Sequence, residues 1–309
     1  ACVCAIVLLW GAVRARKEND MADIYVVRVF PDSPEGGNPA PTVLDAEALD
    51  SEAMRGIAAR DGHESGFVLP ASPGSTADFR FRFFVPRHEM EMCGHATIGA
   101  LWLLRRQGRI GAGTFCIETL SGIVYGIVPD DGPISISQPA GVVEALTEAD
   151  AEAVCDVLGI GAEDLAEPLL LNARTSRIKT LVALKDPGRL HGLAPDFSRM
   201  DAVCGGIGST GLYPFAKSSR PGAFHARQFP RASGYPEDAA TGIAASALAF
   251  GLLHWNMVPL DREVRVLQGE AMGLASAISV SFEQENGKAT RCWISGDCRI
   301  DETFAALES

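Results

Sequence analysis

The stretch FRFFVPRHEMEMCGHATIGALWLLRR, residues 81–106, constrains the fold more than any other part of the chain. It opens on Phe81, Phe83, Phe84 and Val85, aromatic and branched residues that favour a strand. Pro86 removes a backbone donor and stops the ladder. A polar approach over 87–92 leads to Cys93-Gly94-His95-Ala96-Thr97. Beyond it the small residues Ala96, Gly99 and Ala100 sit among Ile98, Leu101, Trp102, Leu103 and Leu104. A helix that is apolar nearly all round is a buried one, and Arg105-Arg106 followed by Gln107-Gly108 ends it. The pattern predicts a strand that delivers the chain to the N-terminus of a helix running through the middle of a domain. Free N–H groups and the positive end of the helix dipole meet at such a point, and together they hold a carboxylate.

The same order of features recurs later. Arg227-Gln228-Phe229-Pro230-Arg231 echoes Arg82-Phe83-Phe84-Val85-Pro86. An acidic approach ending in Glu237-Asp238 follows, then Thr241-Gly242-Ile243-Ala244-Ala245 and an apolar run to Leu253. Two such units in 309 residues predict a pseudo-duplicated, two-domain chain whose helix starts face one cleft. The expected divisions are a first domain over 21–130, a second over 131–297, and a C-terminal segment, 298–309, returning to the first. Residues 1–20 do not match the rest, because the apolar run 2–13 precedes Arg14, Arg16 and Lys17. About a dozen apolar residues are too few to span a bilayer. A signal peptide would carry its positive charge ahead of the run. The segment is read as a non-native or disordered extension ahead of Met21, and no membrane partner is expected.

Strands are predicted over 24–30, 67–69, 78–85, 114–118, 123–128 and 134–137, with helices over 45–60 and 148–158. Further strands are expected over 169–173, 180–183, 211–216, 262–267, 277–282 and 289–294. Residues 31–41 read as a loop around Gly36-Gly37-Asn38-Pro39-Ala40, and 197–203 as helical at best. Cys204-Gly205-Gly206-Ile207-Gly208 reads as a glycine-rich loop and not a dinucleotide fingerprint, since no apolar helix follows it. Many short strands around two special helices imply an α+β fold and not a wound βαβ sheet.

A formal net charge of -12 leaves no surplus of Lys and Arg to replace phosphate counterions, which argues against a nucleic-acid partner. The cysteines form no CxxC pair and no Cys/His group with zinc spacing, so no metal is predicted. Most read as small buried hydrophobes in a reducing, cytoplasmic setting. Cys93 stands apart at a predicted helix start, where a thiolate is stabilised.

His95 at the first helix start, with Glu237 and Asp238 ahead of the second, suits moving a proton on a small carboxylate-bearing substrate. Blander readings stand beside this one. Glu237 and Asp238 read more readily as caps of the helix that follows, and His95 equally as a hydrogen-bonded core residue. A two-thiol racemase is disfavoured, because the position matching Cys93 falls near Thr241. Cys93 and His95, two apart at a helix start, are not expected to face each other.

The ordered motifs resemble the PhzF family, the phenazine-biosynthesis-like isomerases related in fold to diaminopimelate epimerase. The matching pieces are Val29-Phe30, Gly37-Asn38-Pro39-Ala40, Glu64 before Phe67-Val68, Arg82-Phe83-Phe84-Val85-Pro86, Glu89 and Cys93-Gly94-His95-Ala96-Thr97. They continue with Phe229, Glu237-Asp238-Ala239-Ala240-Thr241-Gly242 and Gln268-Gly269. The resemblance implies two similar halves, each a curled mixed sheet around a central helix, with the active site between them and a homodimer as the assembly. It also implies a cofactor-free isomerisation like that of trans-2,3-dihydro-3-hydroxyanthranilate. By motif, Glu64 would move the proton, assisted by His95 and Asp238. Gly94 and Gly242 would present N–H groups to the substrate carboxylate, with Asn38 and Thr241 also at the site. One residue departs from the pattern: Ile243 stands where the phenazine enzymes carry a serine that contacts substrate. That places the phenazine substrate in question. An amino-acid epimerase or racemase, and a catalytically silent ligand-binding protein on the same fold, are the competing readings.

Overall fold

The computed structural model describes residues 23–302. The extension expected over 1–20, and the chain from 303 onward, lie outside the described residues. The helices are α1 (Ser51–Asp61), α2 (Gly94–Arg106), α3 (Glu148–Leu158), α4 (Pro187–His191), α5 (Phe197–Gly206) and α6 (Gly242–His254). In chain order the first strands are β1 (Tyr25–Val29), β2 (Asn38–Val43), β3 (Ser65–Pro70), β4 (Phe79–Phe84) and β5 (Glu89–Met90). Then come β6 (Gly113–Thr119), β7 (Gly122–Val128), β8 (Ile134–Pro139) and β9 (Val142–Ala145). They are followed by β10 (Leu171–Arg174), β11 (Ile178–Leu184), β12 (Gly211–Lys217), β13 (Ala223–Ala226) and β14 (Phe229–Pro230). The last are β15 (Val264–Gln268), β16 (Ser276–Glu285), β17 (Lys288–Gly296) and β18 (Cys298–Ile300).

These strands join into one mixed sheet that curls around two helices. α2 packs on β1, β2, β3, β7 and β8, while α6 packs on β9, β10, β11, β16 and β17. The fold is α+β. A seam of six antiparallel pairs, Ile134↔Gly296 to Pro139↔Arg291, joins β8 to β17. β18 runs back to pair with β1, and there Arg28 Nε donates to Asp301 Oδ2 at 2.5 Å. One apolar core holds both central helices, with Ile98, Leu101 and Leu104 of α2 and Leu248 and Leu252 of α6 in the same cluster. Smaller cores lie under α1 and between α3 and α5. Among the described residues no helix is long and apolar enough to cross a membrane.

Several local readings are corrected. The helix predicted over 45–60 starts only at Ser51, because the Asp50 carboxylate accepts from the N–H groups of Glu52 and Ala53 and caps it there. The loop predicted over 31–41 contains β2 from Asn38 onward. β3 joins β2 only at Thr42 and Val43, so along Pro39 and Pro41 the strand has one partner and an edge that tolerates proline. The glycine-rich run from Cys204 continues α5 as far as Gly206, because Met200 and Cys204 are buried against the core beneath it. Two short strands, β9 and β13, carry too few residues to show a period.

The two central helices meet over one side chain. A β-carbon added at Gly242 would lie 2.6 Å from Ile294 Cδ1, and one added at Gly94 would lie 3.2 Å from the same atom. Ile294 is fully buried on β17, and its cross-strand partner on β8 is Ile136, which also lies beside Gly94. Glycine at both helix starts is therefore what permits this approach. Gly242→Ala is expected to lose about 1–3 kcal/mol by overpacking, and Gly94→Ala less. Ile294→Val removes Cδ1 and alone should cost about 0.5–1.5 kcal/mol. In the Gly242→Ala background the same change is expected to be neutral or stabilising. Urea unfolding of the single and double variants measures the coupling, and simple additivity would show that Ile294 does not set the approach.

Candidate active site

Where α2 and α6 meet, a cavity of about 100 Å³ opens, lined by residues from both halves. Glu64 reaches it from the turn ahead of β3, and Cys93, Gly94 and His95 from the start of α2. Asp238, Thr241, Gly242 and Ile243 reach it from the approach to α6 and its first turn. The seventh residue expected at the site, Asn38, does not line the cavity. Its Nδ2 donates to Asp238 Oδ1 at 3.1 Å and to the Ala240 carbonyl at 2.9 Å, so it holds the approach in place.

The helix starts differ from those elsewhere in the fold. α1, α3, α4 and α5 each carry a side-chain acceptor at the N-cap: Asp50, Thr147, Asp186 and Asp196. At α2 and α6 the N-caps are Cys93 and Thr241, and neither side chain accepts from the helix. The first N–H groups and the positive dipole ends of these two helices are thus left to the cavity. Each approach is clamped by an arginine. Arg82 holds Glu89 through Nε and Nη2 at 2.7 and 2.6 Å, and its guanidinium lies over Phe84. Arg227 holds Glu237 through Nε and Nη2 at 2.8 and 2.7 Å, and lies over Phe229. Glu237 is therefore an anchor of the approach and not a cap.

Asp238 is not a cap either. Its Oδ2 accepts from Thr241 Oγ1 at 2.5 Å, its Oδ1 from Asn38, and Gln268 Nε2 donates to its carbonyl at 2.7 Å. Tyr213, fully buried, donates in turn to Gln268 Oε1. The residue as a whole is only partly buried, but its carboxylate is enclosed, and that enclosure, followed by the Glu64 charge, pushes Asp238 up to about 7. Thr241, Lys179 and the Ala240 N–H act in the opposite direction.

His95 is buried, and burial pulls its pKa down, so the ring is neutral at physiological pH. Its Nδ1 lies 3.4 Å from Cys93 Sγ. The two side chains do face each other, contrary to the spacing argument, because Cys93 is the extended N-cap residue and does not follow helical geometry. Burial, then the Glu64 charge, also raise the Cys93 thiol well above its ordinary range. The helix dipole does not make a thiolate of it. Glu64 is partly buried, and Tyr235 Oη donates to its Oε1 at 3.4 Å.

Among the lining residues that were not anticipated are Arg177, Lys179, Gln228, Ser233 and Tyr235. Lys179 lies one residue ahead of the strand predicted over 180–183, and Gln228 stands in sequence only as part of the repeated motif. Outside the cavity, His191, His225 and Glu270 bring ligand atoms within 4.8 Å of one another. His225 Nδ1 and Glu270 Oε2 are 2.5 Å apart, a hydrogen bond that already accounts for the contact.

A family model described as phenazine biosynthesis-like protein, PhzC-PhzF, matches residues 27–301. An uncharacterized isomerase, YddE of Escherichia coli K12, is 30% identical over 90% of this chain and 95% of its own length. An uncharacterized isomerase, YfhB of Bacillus subtilis, is 28% identical over 86% of this chain and 92% of its own length. A Bacillus anthracis protein of the PhzF family superposes with a TM-score of 0.81 at 24% identity, covering 90% of this chain and 96% of that one. A hydroxyproline epimerase from Agrobacterium vitis shares the fold more distantly, with a TM-score of 0.59 at 13% identity over 90% of this chain and 88% of that one. With the family model spanning nearly every described residue and isomerases among the relatives, the chain belongs to the phenazine biosynthesis-like PhzC-PhzF family.

Proposed function

We propose that this protein is a cofactor-independent isomerase that moves a proton on a small carboxylate-bearing substrate. One observation carries the reading: Glu64, His95 and Asp238 line a single cavity with two helix starts that no side chain caps. The uncapped N–H groups suit a substrate carboxylate, and fixed dipoles of this kind also steady the charge that grows as a proton leaves. Glu64 takes the proton from one carbon and returns it to another. Its partner Tyr235 holds it only loosely, which leaves the carboxylate able to reach substrate. Asp238, raised to about 7 by enclosure and by Glu64, keeps a large protonated fraction, about half, in neutral solution. In that form it donates a hydrogen bond to the developing anion. His95, kept neutral by burial, completes the polar wall.

The two-thiol epimerase reading loses support. The N-cap of α6 is Thr241 where that of α2 is Cys93, and the single thiol is held protonated by burial. The matched arginine clamps, Arg82 with Glu89 and Arg227 with Glu237, favour an origin of the two halves by duplication.

The decisive experiment incubates the protein in D₂O with trans-2,3-dihydro-3-hydroxyanthranilate and a panel of small amino and hydroxy acids, read by mass spectrometry. Isomerisation or deuterium uptake is expected, and Glu64→Gln should slow it by about 10²–10⁴-fold. Exchange that survives the substitution would remove Glu64 from the role. The pH profile tests Asp238. With the protonated form active, kcat/KM should be level below about pH 7 and fall tenfold per unit above it, while Asp238→Asn should lack that limb. A rate that rises through the same range would make Asp238 the base instead. Ile243 lines the cavity, while the Ser246 hydroxyl donates to the Gly242 carbonyl inside the helix. Ile243→Ser is thus expected to shift preference toward the hydroxylated anthranilate by about tenfold or more in relative kcat/KM. An unchanged ratio would show that position 243 does not select substrate.

A further inference from the structure

Lys179 is 6% exposed, lies on the cavity wall, and makes no hydrogen bond or ion pair among the described residues. An ammonium on a side chain this enclosed, with no protein partner, is disfavoured, so its place on a cavity wall points to an anion there. Asp238 is the carboxylate whose charge it feels, but that group is already held by Asn38 and Thr241. Arg177, two residues earlier and also on the cavity wall, adds a second positive charge that works against the first. Gln228 lies on the same wall, wholly buried, and both ends of its amide lack a partner. Orphaned buried amides are rare in folded proteins.

Backbone geometry brings these groups together. β11 and β12 run parallel with Thr180 beside Leu212, so Lys179 comes alongside Gly211. A β-carbon on Gly211 would lie 2.5 Å from Gln228 Nε2, so the glycine is what leaves room for the amide. Lys179 and Gln228 thus flank one glycine at the cavity wall, on different elements from the uncapped helix starts. One carboxylate offers about four acceptor sites, and each helix start leaves up to four N–H groups without an intrahelical partner, so the helix starts alone can satisfy it. The donors on β11 and at Gln228 are therefore surplus to a single carboxylate.

We propose that Lys179, Gln228 and Arg177 form a second anion subsite, and that the substrate is a small dicarboxylic acid with one carboxylate at the helix starts and the other on Lys179. This rests on the proton-transfer reading of the same cavity. Equilibrium binding by calorimetry tests it, with succinate, glutarate and adipate each set against the monocarboxylate of the same length. Wild type should bind at least one dicarboxylate about tenfold or more tighter than its partner. Lys179→Met should bring that ratio close to one, Lys179→Arg should restore part of it, and Gln228→Leu should reduce it. No preference in wild type at any length, or a preference that survives both Lys179→Met and Gln228→Leu, would overturn the proposal. Deuterium exchange is read separately. Glu64-dependent exchange without a dicarboxylate preference sinks the subsite alone, and preference without exchange sinks the proton-transfer reading alone.

Discussion

The contact on which the site depends is that of Ile294 Cδ1 with the starts of α2 and α6. Two helix N-termini repel each other electrostatically, since each carries roughly half a positive charge. Burial of their apolar bodies in a common core holds them together regardless. Ile294, with Ile136 beside it, sets how close they come, and glycine at 94 and 242 is the residue that tolerates the setting. The cavity is therefore a by-product of packing before it is a chemical device. Its position is fixed by apolar side chains that touch no ligand.

Electrostatics then divides the lining into groups with different tasks. The uncapped helix starts, Lys179 on β11 and Arg177 just ahead of that strand favour negative charge. Glu64 and Asp238 place two carboxylates in the same cavity, and the first raises the pKa of the second. Burial acts on each group according to its charge, holding Cys93 protonated, His95 neutral, and Lys179 down to about 8. The result is a cavity in which two groups, Asp238 at about 7 and Lys179 at about 8, change protonation close to neutral pH, a condition that suits proton transfer.

The central helices were legible in sequence because they are apolar on every side and begin with glycine, a combination that few other environments demand. The missing caps were not legible, since threonine caps α3 at Thr147, whereas the Thr241 hydroxyl donates to Asp238 instead. Glu64 was different. Ahead of a strand it looks like any solvated flank, and only the ordered motifs around it gave it a role. Lys179 and Gln228 escaped because nothing near them in sequence indicates what surrounds them. The residue that relates them, Gly211, lies 32 positions from one and 17 from the other. β2 was missed for the opposite reason, since Pro39 and Pro41 are strong local signals that an edge position cancels. Side chains that act through distant neighbours leave little trace in a local pattern.

The seam between β8 and β17 has a consequence for motion. In many two-domain enzymes the substrate enters as the domains swing apart, and the linker between them absorbs the change. Here β8, packed on α2, and β17, packed on α6, are joined by a hydrogen-bonded ladder, and the last described strand is stitched back onto the first. Swinging the halves apart would break those pairs together. The exposed segment 231–236, by contrast, carries Ser233 and Tyr235 to the wall and rests one hydroxyl on Glu64, outside that ladder. Loops of this kind flex on the nanosecond-to-microsecond scale, far faster than the usual turnover of about 1–10³ s⁻¹, so their movement does not set the clock of the reaction.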